Sequence, residues 1–195
     1  MASPAGPQIW VKCMTYVLIA FVIMVLQLVP QSMEPHILTI ALPGDMFAPW
    51  RLRIVPPDLC LAVTIVWVVR RPKFIPVWII AGIFLLSDLV FQRPPGLWAG
   101  MVVWLTEELR KRHRDFRAMP FLGEWSSVAL GMFALFATYR LVLAIFALNV
   151  PPLGMVLLQL ILTIAVYPFV AVFMHYVFGI TRVAPGETGS RGQRV

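Results

Sequence analysis

Few side chains in this sequence combine a reactive type with a suggestive spacing, and most of those that do lie inside apolar stretches. Asp88 sits in Leu85-Leu86-Ser87-Asp88-Leu89-Val90, and Arg140 in Ala137-Thr138-Tyr139-Arg140-Leu141. A charge within hydrocarbon is costly, so such residues mark a site or a partner. Both fall in the same half of their apolar segments, which predicts an ion pair locking the two together. The simpler reading has each side chain reaching the nearer interface alone. Asp58 follows Pro56-Pro57 and opens another apolar run. Proline suits a first helical turn, and a carboxylate there meets the positive end of the helix dipole. Glu107 and Glu108 precede Arg110, Lys111 and Arg112 at spacings of three and four, which pair charges along one helix. Glu124, just before Trp125, reads as a helix start.

The remaining chemistry is sparse. His36, His113 and His175 show no metal spacing, and no H-E-x-x-H is present. The two cysteines, Cys13 and Cys60, form no CxxC. There is no glycine-rich phosphate loop and no G-x-S-x-G. Ser126-Ser127 has no base nearby in sequence. The residues therefore predict no catalytic, cofactor or metal site. The seven Trp and ten Met read as interface anchors and packing.

The elements that hold these residues are set by hydropathy. The chain has 195 residues, 60% hydrophobic and 13% charged, with a mean hydropathy of +0.84. Soluble domains carry about 45–50% apolar and about 25% charged residues, so lipid must solvate most of this surface. The expected fold is all-α, a polytopic membrane bundle of about six transmembrane helices in one domain over 1–183. The predicted spans are 10–29, 57–69, 74–91, 97–109, 125–148 and 153–178. The first is read as an uncleaved span, and the second and fourth are short for lone lipid-facing helices. The proline-rich stretch from Gln31 to Pro56 predicts a loop lying in or dipping into the interface. The Gly-rich stretch 184–195 predicts a disordered tail. Gly82, Ala81 and Gly131 are candidates for close helix approach.

Charge orients the spans. With the N-terminus inside, the inner segments hold Lys12, Arg70, Arg71, Lys73, Arg110, Lys111, Arg112, Arg114, Arg117, Arg182, Arg191 and Arg194. The outer loops hold Arg51, Arg53 and Arg93, and Arg140 lies within a span. This bias follows the positive-inside rule and places both termini in the cytoplasm. The net charge of +7 is thus an attraction to anionic membrane lipids rather than to nucleic acid. The run Arg110, Lys111, Arg112, Arg114 and Arg117 predicts a basic cytoplasmic surface. Cys13 and Cys60 fall near opposite faces, which predicts no disulfide between them.

Two stretches carry a resemblance. One is Pro57-Asp58-Leu59, an apolar run to Trp67-Val68-Val69, then Arg70-Arg71-Pro72. The other is Gly82, Ser87-Asp88-Leu89, then Arg93-Pro94-Pro95-Gly96-Leu97. In order and spacing they resemble the rod shape-determining MreD family, with Pro95 where that family usually has Leu and Ser87 where Gly is common. The resemblance covers 57–109 well and the rest loosely. It implies a multi-pass protein of the bacterial inner membrane that serves cell shape, with a fold similar to the substrate-binding subunits of energy-coupling-factor transporters. It implies MreC as a partner, together with the MreB filament, RodA and a class B penicillin-binding protein. Asp58, Asp88, Arg93, Pro94 and Gly96 match the motif and, with Arg140, are the candidate packing or partner-binding residues. The expected function is a non-enzymatic scaffold of wall elongation. The alternative is a small-molecule carrier subunit, with a cavity lined by Asp88, Thr138, Tyr139, Arg140 and Gln159.

Overall fold

The computed structural model describes residues 6–32, 56–72, 74–146 and 151–178. The expectations for the loop over 33–55 and for the tail 184–195 lie outside these residues. The described chain is all-helical: α1 (Gly6–Ser32), α2 (Leu59–Arg70), α3 (Val77–Val90), α4 (Leu97–Lys111), the short α5 (His113–Ala118), α6 (Phe121–Ile145) and α7 (Leu153–Phe178).

α2 is the centre of the bundle. Every residue from Cys60 to Val69 is buried, as expected of a helix that is apolar all round. It packs against α7, α4 and α1. Its twelve residues rise only about 18 Å, and burial among neighbours removes any need to match a bilayer. Tyr16 of α1 and Thr64 of α2 share a hydrogen bond of 2.9 Å. The Thr64 hydroxyl proton goes to the Cys60 carbonyl at 2.7 Å, so Tyr16 is the donor. Cys13 and Cys60 are both free and buried.

Among the described residues, three helical stretches are long and apolar enough to cross a membrane: Trp10–Leu28, Phe121–Ile145 and Leu153–Val177. Their outward faces expose Leu18 and Phe21 on α1, Leu130 and Phe133 on α6, and Ile161 and Phe169 on α7. Side chains of that kind at more than half their free area have lipid as their natural solvent. The protein is a membrane protein. α2 and α3 are apolar but shorter.

Of the helix boundaries that differ from the hydropathy reading, two are starts set by a proline. α6 begins at Phe121 rather than Trp125, because Pro120 in extended backbone forms its N-cap and Glu124 suits the first turn. α3 begins at Val77 rather than Phe74, again after a proline, Pro76.

Side-chain bonds fix the helix directions. The Gln27 amide donates to the Pro57 carbonyl at 3.3 Å, while Lys12 lies 4.6 Å from the Phe74 ring centroid. α1 and α2 are therefore antiparallel. The Arg110 guanidinium donates to the Ile75 carbonyl at 2.8 Å, closing the α3/α4 hairpin at its open end. Arg70 donates to the Ala171 carbonyl at 3.0 Å and Asp58 to Thr163 at 3.0 Å, so α2 and α7 run parallel. The bundle thus has an Arg70 end and an Asp58 end.

Candidate functional site

The motif residues gather at the Asp58 end. Asp88 closes the α3/α4 hairpin. Its Oδ2 accepts from the backbone N–H of Gly96 at 3.0 Å and of Ala99 at 3.2 Å. A helix N-terminus leaves its first N–H groups without helical partners, and a carboxylate satisfies them and meets the dipole. The Asp88 carbonyl accepts from Arg93 at 2.9 Å, which tightens the turn. Gly96 stands at φ 84°, where a Cβ would be strained. The Pro94 carbonyl accepts from Leu97 at 3.3 Å. Asp88 is fully buried and its Oδ1 has no hydrogen-bond partner, but the Arg93 charge acts on the carboxylate.

Asp58 does the same work for α2. Its Oδ1 accepts from Leu61 N–H at 2.9 Å as the helix N-cap. Its own N–H donates to Thr163 Oγ1, whose proton goes to the Gln159 carbonyl at 2.6 Å. Asp58, Ser87, Arg93 and Gln159 line a small pocket with Gln27, Pro56 and Phe91, of about 40 Å³. Such a space takes water, whereas drug-sized ligands occupy about 300–1,000 Å³. The Arg93 guanidinium lies over the rings of Phe91 and Trp98, at 5.5 Å and 5.2 Å from their centroids.

The expected pair between Asp88 and Arg140 is not made. Asp88 faces the start of α4, and Arg140 donates to the Pro151 carbonyl at the start of α7. Backbone N–H groups at the start of α4 hold Asp88 Oδ2, and Arg140 finds a carbonyl at the mouth of its own hairpin. Tyr139 stacks edge-on against Trp98, with centroids 5.0 Å apart. Of the five residues expected to line a cavity, the pocket includes Gln159 alone.

The basic run divides. Glu108 pairs with Arg112 at 2.8 Å and Lys111 at 3.7 Å, and Lys111 and Arg112 are exposed. Arg110 instead turns inward to Ile75, with Glu107 3.0 Å from its Nε but not aligned for a hydrogen bond. It is a clamp between α4 and α3 rather than part of an open basic surface. The side chains of Arg114 and Arg117 lie outside the described residues. Of the three small residues, Gly131 is the close approach: a Cβ there would lie 2.8 Å from Leu105 of α4. Gly82 faces open space.

The Arg70 end holds a cluster that sequence reasoning missed. Glu124 is 1% exposed, and its Oε1 accepts from the Tyr167 hydroxyl at 3.0 Å. Arg70 Nε lies 3.8 Å from the same oxygen, and its Nη1 holds the Ala171 carbonyl. Three helices, α2, α6 and α7, thus meet on one carboxylate. Beside it, Pro168 interrupts α7. A helical proline has no N–H for the carbonyl four residues back, here Ile164, and the Trp125 indole N–H supplies that bond at 3.0 Å.

Comparison with family models, curated proteins and solved structures found no match to this chain. Among the described residues, no three His, Cys, Asp or Glu side chains converge as metal ligands would.

Arg70 and Glu124 escaped notice because each has an ordinary local explanation. Arg70 counts as a flanking charge and Glu124 as a first-turn acid. The available signal was Glu124 lying within an apolar helix, with Tyr167 and an internal proline on another.

Proposed function

We propose that this protein is a non-enzymatic scaffold of the bacterial wall-elongation complex, with a role like that of the MreD family. It would lie in the inner membrane with both termini cytoplasmic, the Arg70 end facing the cytoplasm and the Asp58 end facing outward. The charge bias supports that orientation, because Lys12, Arg70, Arg71 and Arg110 through Arg112 all fall at the Arg70 end. Its partners would be MreC first, then MreB, RodA and a class B penicillin-binding protein, met through helix packing and short exposed segments.

The observation that carries this reading is the work done by the motif residues. Asp58, Asp88, Arg93, Pro94 and Gly96 build helix starts and one tight hairpin. Two of them, Asp58 and Arg93, line a space of only about 40 Å³. Residues used to hold a rigid frame suit a scaffold better than a carrier. Depletion of the protein in its host is expected to turn rods into round cells, and affinity purification from membranes to recover an MreC-like partner. Depleted cells that stay rod-shaped with normal wall insertion would reject the scaffold. A metabolite retained stoichiometrically through purification would favour the carrier instead.

A further inference from the structure

The apolar belt of this bundle is uneven. On α6 the exposed apolar side chains run from Leu122 to Ile145, and on α7 from Leu153 to Val177. Each series rises about 35 Å, more than the roughly 30 Å of hydrocarbon in a bilayer. On α3 the exposed series runs only from Trp78 to Leu89, a rise of about 16 Å. α4 reaches Glu107 and Glu108 ten residues after its start at Leu97.

The shortfall is larger at one end. Asp58, where α2 begins, bonds to Thr163, ten residues past the start of α7 and so about 15 Å below it. Trp98, at the start of α4, stacks on Tyr139, six residues or about 9 Å short of the end of α6. At the Arg70 end α6 is close to level with α2, since Arg70 approaches Glu124 in the first turn of α6, while α7 runs on seven residues, about 10 Å, past the Ala171 carbonyl that Arg70 holds. The α6/α7 hairpin therefore stands above a lower step formed by α2, α3 and α4. On that step is Arg93, partly exposed. Its guanidinium lies over two aromatic rings and makes no hydrogen bond among the described residues.

We propose that the face of α3 and the start of α4 thins the bilayer beside it and holds a phospholipid headgroup against Arg93. A bilayer of ordinary thickness would leave Arg93 and the polar turn Gln92–Gly96 in hydrocarbon. A helix shorter than the hydrocarbon layer draws the lipid inward at modest cost per ångström. The headgroup phosphate then gives the guanidinium a hydrogen-bonding oxygen, which it lacks among the described residues. The occupant is lipid rather than protein because the band is too short for a second spanning helix to cover without the same mismatch, and its rim carries a cation.

The test uses the full-length protein in dioleoyl phosphatidylcholine vesicles, with Cys13 and Cys60 changed to alanine. Spin labels are placed singly by Pro95→Cys on the step and Ile145→Cys on the hairpin. If the bilayer is thinned, both labels collide with a water-soluble nickel complex, and the Pro95 label also speeds the relaxation of lipid phosphorus. Collisions with oxygen alone at Pro95 would mean ordinary thickness and overturn the proposal. Protection from both reagents would mean a protein cover, and nickel access without a phosphorus effect a water-filled recess; either overturns it. Arg93→Leu is expected to abolish the phosphorus effect at Pro95 and Arg93→Lys to keep it, with the Ile145 label unchanged as the check on folding. Retention of the effect in Arg93→Leu removes Arg93 from the proposal. Coflotation of the protein with the vesicles reads membrane insertion separately.

Discussion

The two ends of the buried helix α2 solve one problem in opposite ways. At the Asp58 end, each carboxylate bonds to the backbone of a helix start: Asp58 to Leu61, and Asp88 to Gly96 and Ala99. At the Arg70 end, a carboxylate from α6 meets a guanidinium from α2 and a hydroxyl from α7. The first solution is local and leaves a spacing in the sequence. The second joins residues 43 and 54 positions apart and leaves none. The local solution shapes a turn, whereas the distant one pins three helices in register. Their energies should differ accordingly, because an abandoned cap is reached by water or lipid headgroups more easily than an abandoned interior charge.

The sharpest way to break the comparison is at Glu124. Glu124→Ala leaves Arg70 without its carboxylate in a site where its side chain is 9% exposed. Loss of one partner of a buried pair costs about 3–5 kcal/mol, which would be read as a lowered unfolding midpoint in mild detergent. Combining Arg70→Met with Glu124→Leu should restore most of the loss, because no uncompensated charge remains. If the double variant is worse than Glu124→Ala alone, the pair is not the element that matters at this end.

At the Asp58 end the expected losses are smaller. Asp88→Ala removes the acceptor for two N–H groups and should cost about 2 kcal/mol, the upper range for a helix cap. Asp88→Asn keeps one acceptor oxygen and should recover about half of that. Gly96→Ala meets no neighbour within 4 Å but must hold φ at 84°, which costs about 1 kcal/mol. Equal losses at Glu124 and Asp88 would erase the distinction between the two ends.

The bundle and the membrane setting were legible because hydropathy and flanking charge are local quantities. The α7 span was read as 153–178, as observed. Gly96 and Asp88 were legible as a motif, though not as donor and acceptor of one bond. The ion pair assigned to Asp88 and Arg140 went wrong for a physical reason. Intramembrane charge was assumed to need opposite charge, while helix termini offer N–H groups and carbonyls that serve as well, as Gly96 and Pro151 do here. The Arg70 cluster was hidden because Arg70 and Glu124 each satisfy a rule about helix ends, and only the folded bundle brings Arg70 of α2 up to Glu124 of α6 and shows that both side chains are shielded. The short second span was legible, and its cause, complete burial of Cys60 to Val69, was one of the two explanations that length alone allowed.

The smallest expected effect tests whether the Arg70 end is a network or a set of separate bonds. Pro168 withdraws the N–H that would have met the Ile164 carbonyl, and Trp125 replaces it from α6. Trp125→Phe keeps most of the ring packing and removes only that donor. Hydrogen bonds between membrane helices average about 0.6 kcal/mol in double-mutant cycles, so the single change should cost about that much. In a Pro168→Ala background the helix can satisfy Ile164 itself, and Trp125→Phe should become nearly neutral. The coupling measured by the cycle is then the worth of the indole bond to the interrupted helix. If Trp125→Phe costs the same in both backgrounds, its effect belongs to the ring and not to the N–H, and the proline and the tryptophan are independent features of this end.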